Sequence, residues 1–385
     1  MKVFLVAGEP SGDALGAALM AGLRAEAPQV QFLGVGGAGM AAEGLESLFP
    51  MHELSVMGLA EVLPRYRALR RRMILTADAA IAAAPDVVVT IDSPDFGLRV
   101  ARRVRAARPT QRTVHYVAPS VWAWRPGRAA RMAQVVDHVL ALLPFEPPLM
   151  QAAGMTCDFV GHPIAAVPQP DAADIAAFRA AHGLGGADIV LALPGSRRGE
   201  VARMGPVFGA TLGRVLAARP DLRVVVPTVP TVATEVRAMA VSWPGAPVVV
   251  EAGPTPPSQV RAAFSSGRAA LAASGTVSLD LAAAGVPMVI GWDAHPITRF
   301  VLSRLVRLDT VTLVNLVSET RAVPEYLGRA CAPDGLAPAL LALLHDGPAR
   351  TGQTEAMAAT MQRLGRGGTP PGIRAARSIL ASLDR

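Results

Sequence analysis

The sequence has 385 residues, of which 51% are hydrophobic, 4% aromatic and 17% charged, and it carries a formal net charge of +7. This length suits two domains better than one compact core, and the composition excludes a disordered, fibrous or coiled-coil protein. The one lysine, Lys2, excludes a P-loop nucleotide site and an internal lysine Schiff base, and the two cysteines exclude a disulfide framework and a cysteine-based zinc site.

The first half of the chain predicts the start of a doubly wound α/β fold. A strand over 2–7 leads into a turn of small residues over 8–13 and then into an alanine-rich helix. The segment 86–91 is apolar without alternation, which is typical of a parallel strand that helices cover on both faces. Further strands are predicted at 30–35, 112–117 and 138–143.

Three prolines then interrupt the pattern and predict a linker, after which the same fold begins again. They are Pro163, Pro168 and Pro170. Strands are predicted after them at 188–193, 222–227, 247–251, 269–272 and 287–291, and helices over 335–385. We therefore expect two Rossmann-like domains, residues 1–165 and 166–385, with the last helix packed back on the first domain. Two such domains face each other across a cleft, where the ligands of α/β sheets bind.

The positive charge favours anionic partners, which include phosphates, nucleic acid and an acidic membrane surface. The apolar stretch near the start covers only 3–7, which is shorter than the roughly 7–15 residues of a signal-peptide core. Polar residues interrupt every run of about 18 residues, so no membrane span is predicted. We expect a cytoplasmic protein that meets a membrane face.

The turn after the first strand offers a place for a ligand. Ser11 and Gly12 are small enough for backbone N–H groups to approach one, and the carboxylate of Glu9 stands where a substrate hydroxyl or amide could reach it. The alternative is that Ser11 or Asp13 caps the following helix. The sequence leaves both interpretations open.

Two carboxylates follow the buried strand 86–91. Asp92 and Asp95 stand in the segment Asp-Ser-Pro-Asp, at the mouth of the expected cleft. A carboxylate at this place suits a general base that accepts a hydroxyl proton near neutral pH. The alternative is helix capping by Ser93 or Asp95. We predict Asp92 as the catalytic residue, with Glu9 and Asp95 as the other candidates.

An aromatic segment and a lone histidine complete the site that is predicted for the first domain. Residues 115–125 read HYVAPSVWAWR and contain Trp124 and Arg125. In an aromatic-poor chain this cluster suggests stacking on a sugar or a cation–π contact, and an aromatic core plug is the alternative. His162 stands at the domain junction, where it is either a residue of the cleft or a structural histidine.

Two turns of the second domain have the pattern of phosphate-binding helix starts. Gly195, Ser196 and Arg197 follow a strand, so that backbone N–H groups, a hydroxyl and a guanidinium can bind phosphate oxygens. The same arrangement recurs at Ser274, Gly275 and Thr276. Asp280 lies one helical turn later and could accept ribose hydroxyls. Two such turns indicate a nucleoside diphosphate, and ordinary helix capping is the alternative.

A glycine-rich turn over 34–39 matches the dinucleotide pattern G-x-G-x-x-G. It follows the second strand instead of the first, and no acidic residue ends a strand about 20 residues later. We therefore favour a tight turn near a ligand or a neighbouring helix over a nicotinamide site.

Apolar side chains lead into a basic helix between residues 54 and 72. The apolar patch includes Met57, Leu59, Val62 and Leu63, and five arginines follow it between 65 and 72. This pattern suits an interfacial element that meets anionic lipid. The alternative is a buried helix with a solvated end.

Together these segments resemble the lipid-A-disaccharide synthases, inverting glycosyltransferases of the GT-B type with two Rossmann-like domains. The resemblance rests on AGEPSGD (7–13), VMGLAEVL (56–63), IDSPDF (91–96), HYVAPSVWAWR (115–125), LLPFE (142–146), FVGHP (159–163), LPGSRRGEV (193–201), AASGTVSLD (272–280) and NL (315–316). These motifs run in order through most of the chain, and the pair IDSPDF and HYVAPSVWAWR is highly specific.

The resemblance implies a reaction and its partners. The family transfers 2,3-diacylglucosamine from its UDP conjugate to the 6-hydroxyl of 2,3-diacylglucosamine 1-phosphate, which gives a β-1,6 disaccharide phosphate and UDP. It works at the inner face of the cytoplasmic membrane with no metal, and neither a cofactor nor nucleic acid is implied. The sequence leaves a homodimer open.

The resemblance also assigns residues. The family's essential aspartate falls on Asp92, and its apolar lipid-facing patch falls on 57–63. Its uracil–diphosphate site falls on Arg197, on 274–276 and on Asn315.

The donor site departs from the family pattern at several positions. Asp280 stands where the family usually has Glu, so its carboxylate reaches one methylene less far. Trp292 and Asp293 stand where a Tyr-Arg pair is usual, which removes a cation. The acceptor and catalytic assignments therefore follow the pattern more closely than the donor contacts do.

Three other functions are compatible with parts of the sequence. The glycine turn at 34–39 would serve a nicotinamide-dependent oxidoreductase. The positive charge would serve a non-catalytic protein that binds a membrane surface or nucleic acid. A UDP-sugar epimerase of the same fold is the closest alternative, and it would need no lipid acceptor.

Overall fold

Two parallel α/β units make up the fold in the computed structural model. It describes residues 1–54, 59–122, 127–253, 255–273, 275–294 and 309–383, without the side chains of residues 59–65. Contacts divide the chain into a first unit, Met1–Ala166 with Leu364–Arg385, and a second unit, Val167–Arg363.

In the first unit, the described residues form a six-stranded parallel sheet in the order β2-β1-β3-β4-β5-β6. Its strands are β1 (Lys2–Ala7), β2 (Gln31–Val35), β3 (Val87–Ile91), β4 (Arg112–Tyr116), β5 (His138–Ala141) and β6 (Thr156–Phe159). Its helices are α1 (Pro10–Glu26), α2 (Ala38–Ala42), α3 (Leu59–Ala83), α4 (Pro94–Ala107), α5 (Gly127–Met132), α6 (Pro147–Gln151) and, from the end of the chain, α15 (Pro371–Leu383). Short 3-10 turns lie at Met51–Glu53 and Pro163–Ala166.

The strands of this sheet are apolar on both faces because helices cover both. Val3 and Leu5 of β1 point into a core with residues of α1 and α15, and Phe4 and Val6 point into a second core with residues of α3 and α4. Glycines let α1 and α15 approach closely, since a Cβ on Gly22 would lie 2.4 Å from the backbone oxygen of Gly372.

The described part of the second unit forms a parallel sheet in the order β12-β11-β10-β7-β8-β9. Its strands are β7 (Ile189–Leu193), β8 (Arg223–Thr228), β9 (Val248–Glu251), β10 (Ala269–Ala272), β11 (Met288–Trp292) and β12 (Glu325–Leu327). Its helices are α7 (Ala172–Ala181), α8 (Arg198–Ala218), α9 (Ala233–Ala240), α10 (Pro257–Ser265), α11 (Val277–Ala283), α12 (Leu313–Ser318), α13 (Pro333–Leu344) and α14 (Pro348–Arg363), with 3-10 turns at Pro230–Val232 and Gly328–Ala330.

The two doubly wound α/β sheets confirm the fold class that the sequence predicts. Ten of the strands lie where the pattern placed them, within a few residues. The sequence prediction missed β6 and β12, which are the outer strands on one side of each sheet. Both are short, and neither is buried along its length, so the continuous apolar run that marks a central strand is absent.

Candidate active site

The first candidate site lies where the strand order of the first sheet reverses. β1 lies between β2 and β3, so the chain leaves β1 toward one side of the sheet and β3 toward the other. Ala7 and Ile91 are paired neighbours at the ends of these strands. The loops that follow them therefore meet at one edge, at the switch point where α/β sheets bind ligands.

Asp92 occupies this edge in a strained backbone conformation. Its φ is +51° and that of Ser93 is +33°, in the left-handed region that residues other than glycine rarely adopt. The backbone N–H of Asp92 donates to the carbonyl oxygen of Tyr116 at 2.9 Å, which ties the turn to β4. Strain of this kind persists where the surroundings fix it and is concentrated at functional sites.

Hydrogen bonds join three of the predicted residues around Ser93. The hydroxyl of Ser11 donates to Oδ2 of Asp92 at 2.7 Å, and the backbone N–H of Ser93 donates to Oδ1 at 3.0 Å. The hydroxyl of Ser93 donates to Oε1 of Glu9 at 3.1 Å. Gly12 lies directly behind, where a Cβ would stand 3.5 Å from the Cβ of Asp92. The structure thus brings Glu9, Ser11, Gly12 and Asp92 together.

These residues do not cap α1 or α4 with their side chains, so the helix-capping alternatives are wrong. α1 begins at Pro10 with Glu9 as its N-cap and without a side-chain cap, since the hydroxyl of Ser11 is directed to Asp92. Ser93 is the N-cap of α4, but its hydroxyl is directed to Glu9. Asp95 lies outside the cluster, with its side chain 97% exposed and 3.5 Å from Arg128.

Asp13 explains the glycine-rich turn. Its carboxylate accepts the backbone N–H groups of Gly37 at 2.8 Å, Gly39 at 2.8 Å and Met40 at 3.0 Å, so it caps α2. A Cβ on Gly34 would lie 1.8 Å from the backbone oxygen of Leu5. The glycines therefore serve close packing, and a side chain of the same unit already binds the N–H groups that a dinucleotide phosphate would need.

Other residues predicted for the first domain lie apart from this cluster. Nδ1 of His162 accepts the N–H of Ile164 at 3.2 Å, and burial lowers the pKa of His162 to about 4, so this imidazole is neutral. Trp124 and Arg125 lie outside the described residues, as does Met57.

A buried carboxyl holds Trp122 of the aromatic segment in place. Glu146 is 4% exposed and accepts the backbone N–H of Leu143 at 3.0 Å and Nε1 of Trp122 at 3.3 Å. Burial raises the pKa of Glu146 to about 7. The ring of Trp122 also meets Phe145 edge-on, with the ring centroids 5.4 Å apart. Trp122 therefore takes the role of an aromatic packing residue.

The second candidate site lies at the equivalent point of the other sheet. β7 lies between β8 and β10, and Leu193 is paired with Ala272 at the strand ends. A cavity of about 480 Å³ opens there. Its wall includes Gly195, Ser196, Arg197, Glu200, Thr228, Val260, Phe264, Gly275, Thr276 and Asp280. The two turns that the sequence predicts as phosphate-binding therefore share one cavity.

The turn after β7 presents hydrogen-bond donors at the start of a long helix. α8 begins after Arg197, and the positive end of its dipole lies at this turn. Oε2 of Glu200 accepts the N–H of Ser196 at 3.2 Å, and Oε1 accepts from the Arg197 guanidinium at 3.0 Å. The Arg197 side chain is 69% exposed and that of Glu200 is 20% exposed. An arginine and a helix start are the groups that bind phosphates in proteins.

The turn after β10 supplies the opposite side of the cavity. Gly275 has a φ of +153°, and a Cβ there would meet no atom within 4 Å. Thr276 is the N-cap of α11, and Asp280 lies in the first turn of that helix. The Asp280 carboxylate is open to solvent at the cavity, but the surrounding protein atoms desolvate it and raise its pKa to about 6. Ser274 lies outside the described residues.

Asn315 lies in α12, outside the lining of this cavity. It is 1% exposed. Its Nδ2 donates to Thr310 at 3.2 Å and to the backbone of Val323 at 2.9 Å, and its Oδ1 accepts from Val323 at 3.0 Å. These contacts hold the segment before β12 in place, and they occupy the amide that was predicted to bind a ligand.

The apolar patch can be followed only in part. Leu59, Val62 and Leu63 lie in the first turns of α3, and the structure describes their backbone but not their side chains. Further along α3, Arg67, Arg70 and Arg71 are exposed to solvent. Among the described residues no helix is long and apolar enough to cross a membrane, and no three His, Cys, Asp or Glu side chains lie together in a way that could hold a metal ion.

Two residues of these sites were not singled out from the sequence. Ser93 links the carboxylates of Asp92 and Glu9, whereas the sequence offered it only as a candidate helix cap. Glu200 stands three positions after Arg197, the spacing at which a Glu in the first turn reaches back to the start of its helix. That spacing is visible in the sequence and could have identified it.

Comparisons with known proteins agree with these features. The family model described as lipid-A-disaccharide synthetase matches residues 3–368. The chain is 62% identical over 387 residues to a lipid-A-disaccharide synthase of Ruegeria pomeroyi, covering 100% of this chain and 96% of the relative. It is 49% identical over 383 residues to that of Rhodospirillum centenum, covering 99% and 94%.

Solved structures share the fold at low identity. A UDP-GlcNAc 2-epimerase from Neisseria meningitidis bound to UDP-GlcNAc has a TM-score of 0.65 at 13% identity and covers 100% of this chain and 99% of that chain. The UDP-GlcNAc 2-epimerase of Methanocaldococcus jannaschii, in complex with UDP-GlcNAc and UDP, has a TM-score of 0.61 at 13% identity and covers 100% of both chains. At this identity the likeness concerns architecture alone.

Proposed function

The chain belongs to the lipid-A-disaccharide synthetase family, and on that premise we propose that it is the glycosyltransferase that forms the lipid A disaccharide. It transfers 2,3-diacylglucosamine from its UDP conjugate to the 6-hydroxyl of 2,3-diacylglucosamine 1-phosphate. The products are the β-1,6 disaccharide 1-phosphate and UDP. The main support for the roles assigned below is the position of the Asp92 carboxylate. Ser11 and the N–H of Ser93 hold it in a strained turn.

The acceptor chemistry is assigned to the first unit. The 6-hydroxyl of the acceptor must lose its proton as its oxygen attacks the anomeric carbon of the donor. Asp92 is half-buried, and two donors fix both of its oxygens, so a hydroxyl that approaches it meets an oriented carboxylate. Glu9 stands behind Ser93 and holds that serine in place. Asp95, on the exposed side of the turn, is the weaker candidate.

The donor is assigned to the second unit. Arg197 and the N–H groups at the start of α8 would bind the diphosphate and stabilise the negative charge that develops on UDP as the glycosidic bond breaks. Gly275 and Thr276 lie across the same cavity, with Asp280 placed for the ribose hydroxyls. Val260 and Phe264 form an apolar wall against which a base can pack.

The acylated substrates require a lipid surface, and we assign its contact to the start of α3. The sequence over 56–63 is apolar except for Glu61, and the exposed Arg67, Arg70 and Arg71 follow in α3. Apolar insertion beside arginines binds anionic lipid. The protein would then act peripherally on the inner face of the cytoplasmic membrane. Sedimentation with vesicles of anionic or neutral lipid tests this, with retention on anionic vesicles expected.

The epimerase alternative has no support beyond the shared fold. The solved epimerases are 13% identical to this chain, whereas a synthase is 62% identical across the whole of this chain. The two reactions also differ in what they consume. An epimerase acts on UDP-N-acetylglucosamine alone, and the transferase needs a lipid acceptor.

A product assay tests the proposed function. Purified protein is incubated with UDP-2,3-diacylglucosamine and 2,3-diacylglucosamine 1-phosphate in the presence of EDTA, and the products are identified by mass spectrometry. We expect the disaccharide phosphate from the wild type and a loss of at least about a hundredfold for Asp92→Asn. Asp78→Asn is the matched control, because Asp78 is an exposed ion-pair partner of Arg103 in the same unit. Folded wild type that binds UDP but forms no disaccharide would overturn the assignment.

A further inference from the structure

Glu200 occupies an unusual position in the donor cavity. Its carboxylate accepts the backbone N–H of Ser196 through one oxygen and the guanidinium of Arg197 through the other, at 3.2 and 3.0 Å. These are the two donors to which we assign the diphosphate of the donor substrate. One side chain of the protein thus satisfies the hydrogen bonds that the ligand is expected to make.

The turn is shaped around this carboxylate. Gly195 has a φ of +124°, and a Cβ there would lie 2.6 Å from the Cβ of Glu200 and 2.8 Å from its Oε2. A glycine is therefore required for Glu200 to fold back over the start of α8. The carboxylate also lies near the positive end of the α8 dipole, where an anion is favoured.

We propose that Glu200 is an internal competitor of the donor's diphosphate, which must displace its carboxylate from Ser196 and Arg197. The inference rests on the proposed function and deepens it. The Ser196 backbone has one N–H to donate, and a phosphate that takes it or the Nη1 group of Arg197 would be repelled by the Glu200 carboxylate held on the same two groups. The ion pair is solvent-exposed on the arginine side, so its net strength is small enough for a multivalent ligand to replace it.

The competition makes the cavity selective for the leaving group. A ligand with two phosphates brings several oxygens and charges, and it can satisfy Arg197 and the N–H groups better than one carboxylate does. A nucleoside without phosphates has nothing to offer these donors and leaves Glu200 in place. Glu200 thereby favours the diphosphate-bearing donor over ligands that share only its base and ribose.

Calorimetric titration of UDP, pyrophosphate and uridine tests the proposal. We expect Glu200→Gln, which removes the charge but keeps the size, to bind UDP and pyrophosphate roughly three- to tenfold more tightly than the wild type. Uridine affinity should stay within about twofold, since uridine does not meet Arg197. Glu200→Ala is the second variant, and it should show the same selective gain if Glu200→Gln folds poorly.

Glu235→Gln is the matched control. Glu235 pairs at 2.8 Å with Arg198, the first residue of α8, and among the described residues no hydrogen bond or ion pair joins Glu235 to Ser196 or Arg197. Its UDP affinity should equal that of the wild type. The competitor role is overturned if the wild type binds UDP and the folded Glu200 variants bind it equally or more weakly. Glu200 would then be only a helix cap. Wild type that binds no UDP would instead overturn the proposed function itself.

Discussion

The switch points of the two sheets use the left-handed backbone region in different ways. In the first unit the residues with positive φ after β3 are Asp92 and Ser93. Both take part in the hydrogen bonds of the carboxylate cluster, which consists of Glu9, Ser11, Asp92 and Ser93. In the second unit the residues with positive φ after β7 and β10 are Gly195 and Gly275. Each pair lies at the equivalent edge of a sheet with the same reversal of strand order.

The difference reflects what each site needs. The proposed base needs a carboxylate at a fixed point, and Asp92 keeps a side chain there even though its backbone conformation is unfavourable. A phosphate site needs backbone N–H groups and room, so glycine serves there at little cost. The same topology thus suits both proposed roles, a proton-accepting site and an anion-binding site, and the loop residues distinguish the two.

Asp92→Gly is expected to have the largest effect, because it places a glycine in the first unit where the second unit already has one. Glycine adopts a φ of +51° without strain, so we expect the unfolding free energy to rise by about 0.5–1 kcal/mol. Turnover should fall by about 10²–10⁴-fold, because the acceptor hydroxyl loses its base. Chemical denaturation and product formation measure the two effects. A variant that is both less stable and inactive would show that the two hydrogen bonds of the Asp92 carboxylate outweigh the relief of backbone strain.

Arg197→Ala tests the anion-binding side. Loss of a charge-assisted hydrogen bond should weaken UDP binding roughly 10- to 100-fold, as measured by calorimetry. Arg214→Ala provides the control, because Arg214 lies on the same helix and is half-exposed in an ion pair with Asp334. Equal UDP affinity for the two variants would contradict the assignment of Arg197 to the diphosphate.

Gly195→Ala tests whether the glycine is needed for its conformation. The added Cβ would stand 2.6 Å from the Cβ of Glu200 at a φ of +124°, so we expect a loss of about 1–3 kcal/mol in stability. Gly199→Ala is matched, since a Cβ there meets no atom within 4 Å. Thermal unfolding of the two variants should differ clearly, and identical unfolding temperatures would mean that the turn accommodates a side chain.

Ser11→Ala tests whether the Ser11 hydroxyl orients the carboxylate of Asp92. Without the hydroxyl, 2.7 Å from Asp92, the carboxylate keeps the N–H of Ser93 but loses one orienting donor. We expect turnover to fall by about tenfold with unchanged UDP affinity. Ser11→Thr retains a hydroxyl and should recover most of the activity. No rescue by threonine would mean that serine acts through its size.

The pH dependence of uridine binding is the smallest expected effect. Because the pKa of Asp280 is raised to about 6, its carboxylate is mostly protonated below that pH and accepts ribose hydroxyls poorly. Uridine affinity should therefore rise roughly fourfold from pH 5.5 to 7, following the ionised fraction. Uridine has no phosphate to titrate in this range. Asp280→Asn should abolish the rise, and a rise that persists in this variant would assign it to another group.

Much of the site was predictable because its residues follow strands directly. Asp92 and the turn at Gly195 come immediately after buried parallel strands, and topology requires such loops to meet at one edge of a sheet. The same continuous apolar runs predicted the central strands. The outer strands β6 and β12 were missed because their short sequences lack an apolar run that would mark them.

The sequence by itself determined the fold class and the family and predicted the loops of the candidate sites, since periodicity and motif spacing are local properties of the chain. Only the tertiary structure decided which polar partners these side chains choose. Asp13 accepts hydrogen bonds from the glycine turn 24 residues away, and Ser11 donates one to Asp92 across 81 residues. Asn315 donates instead to Val323, in the segment that follows it. Such partners depend on distances between separate elements, and a carboxylate binds whichever donor the fold brings within reach.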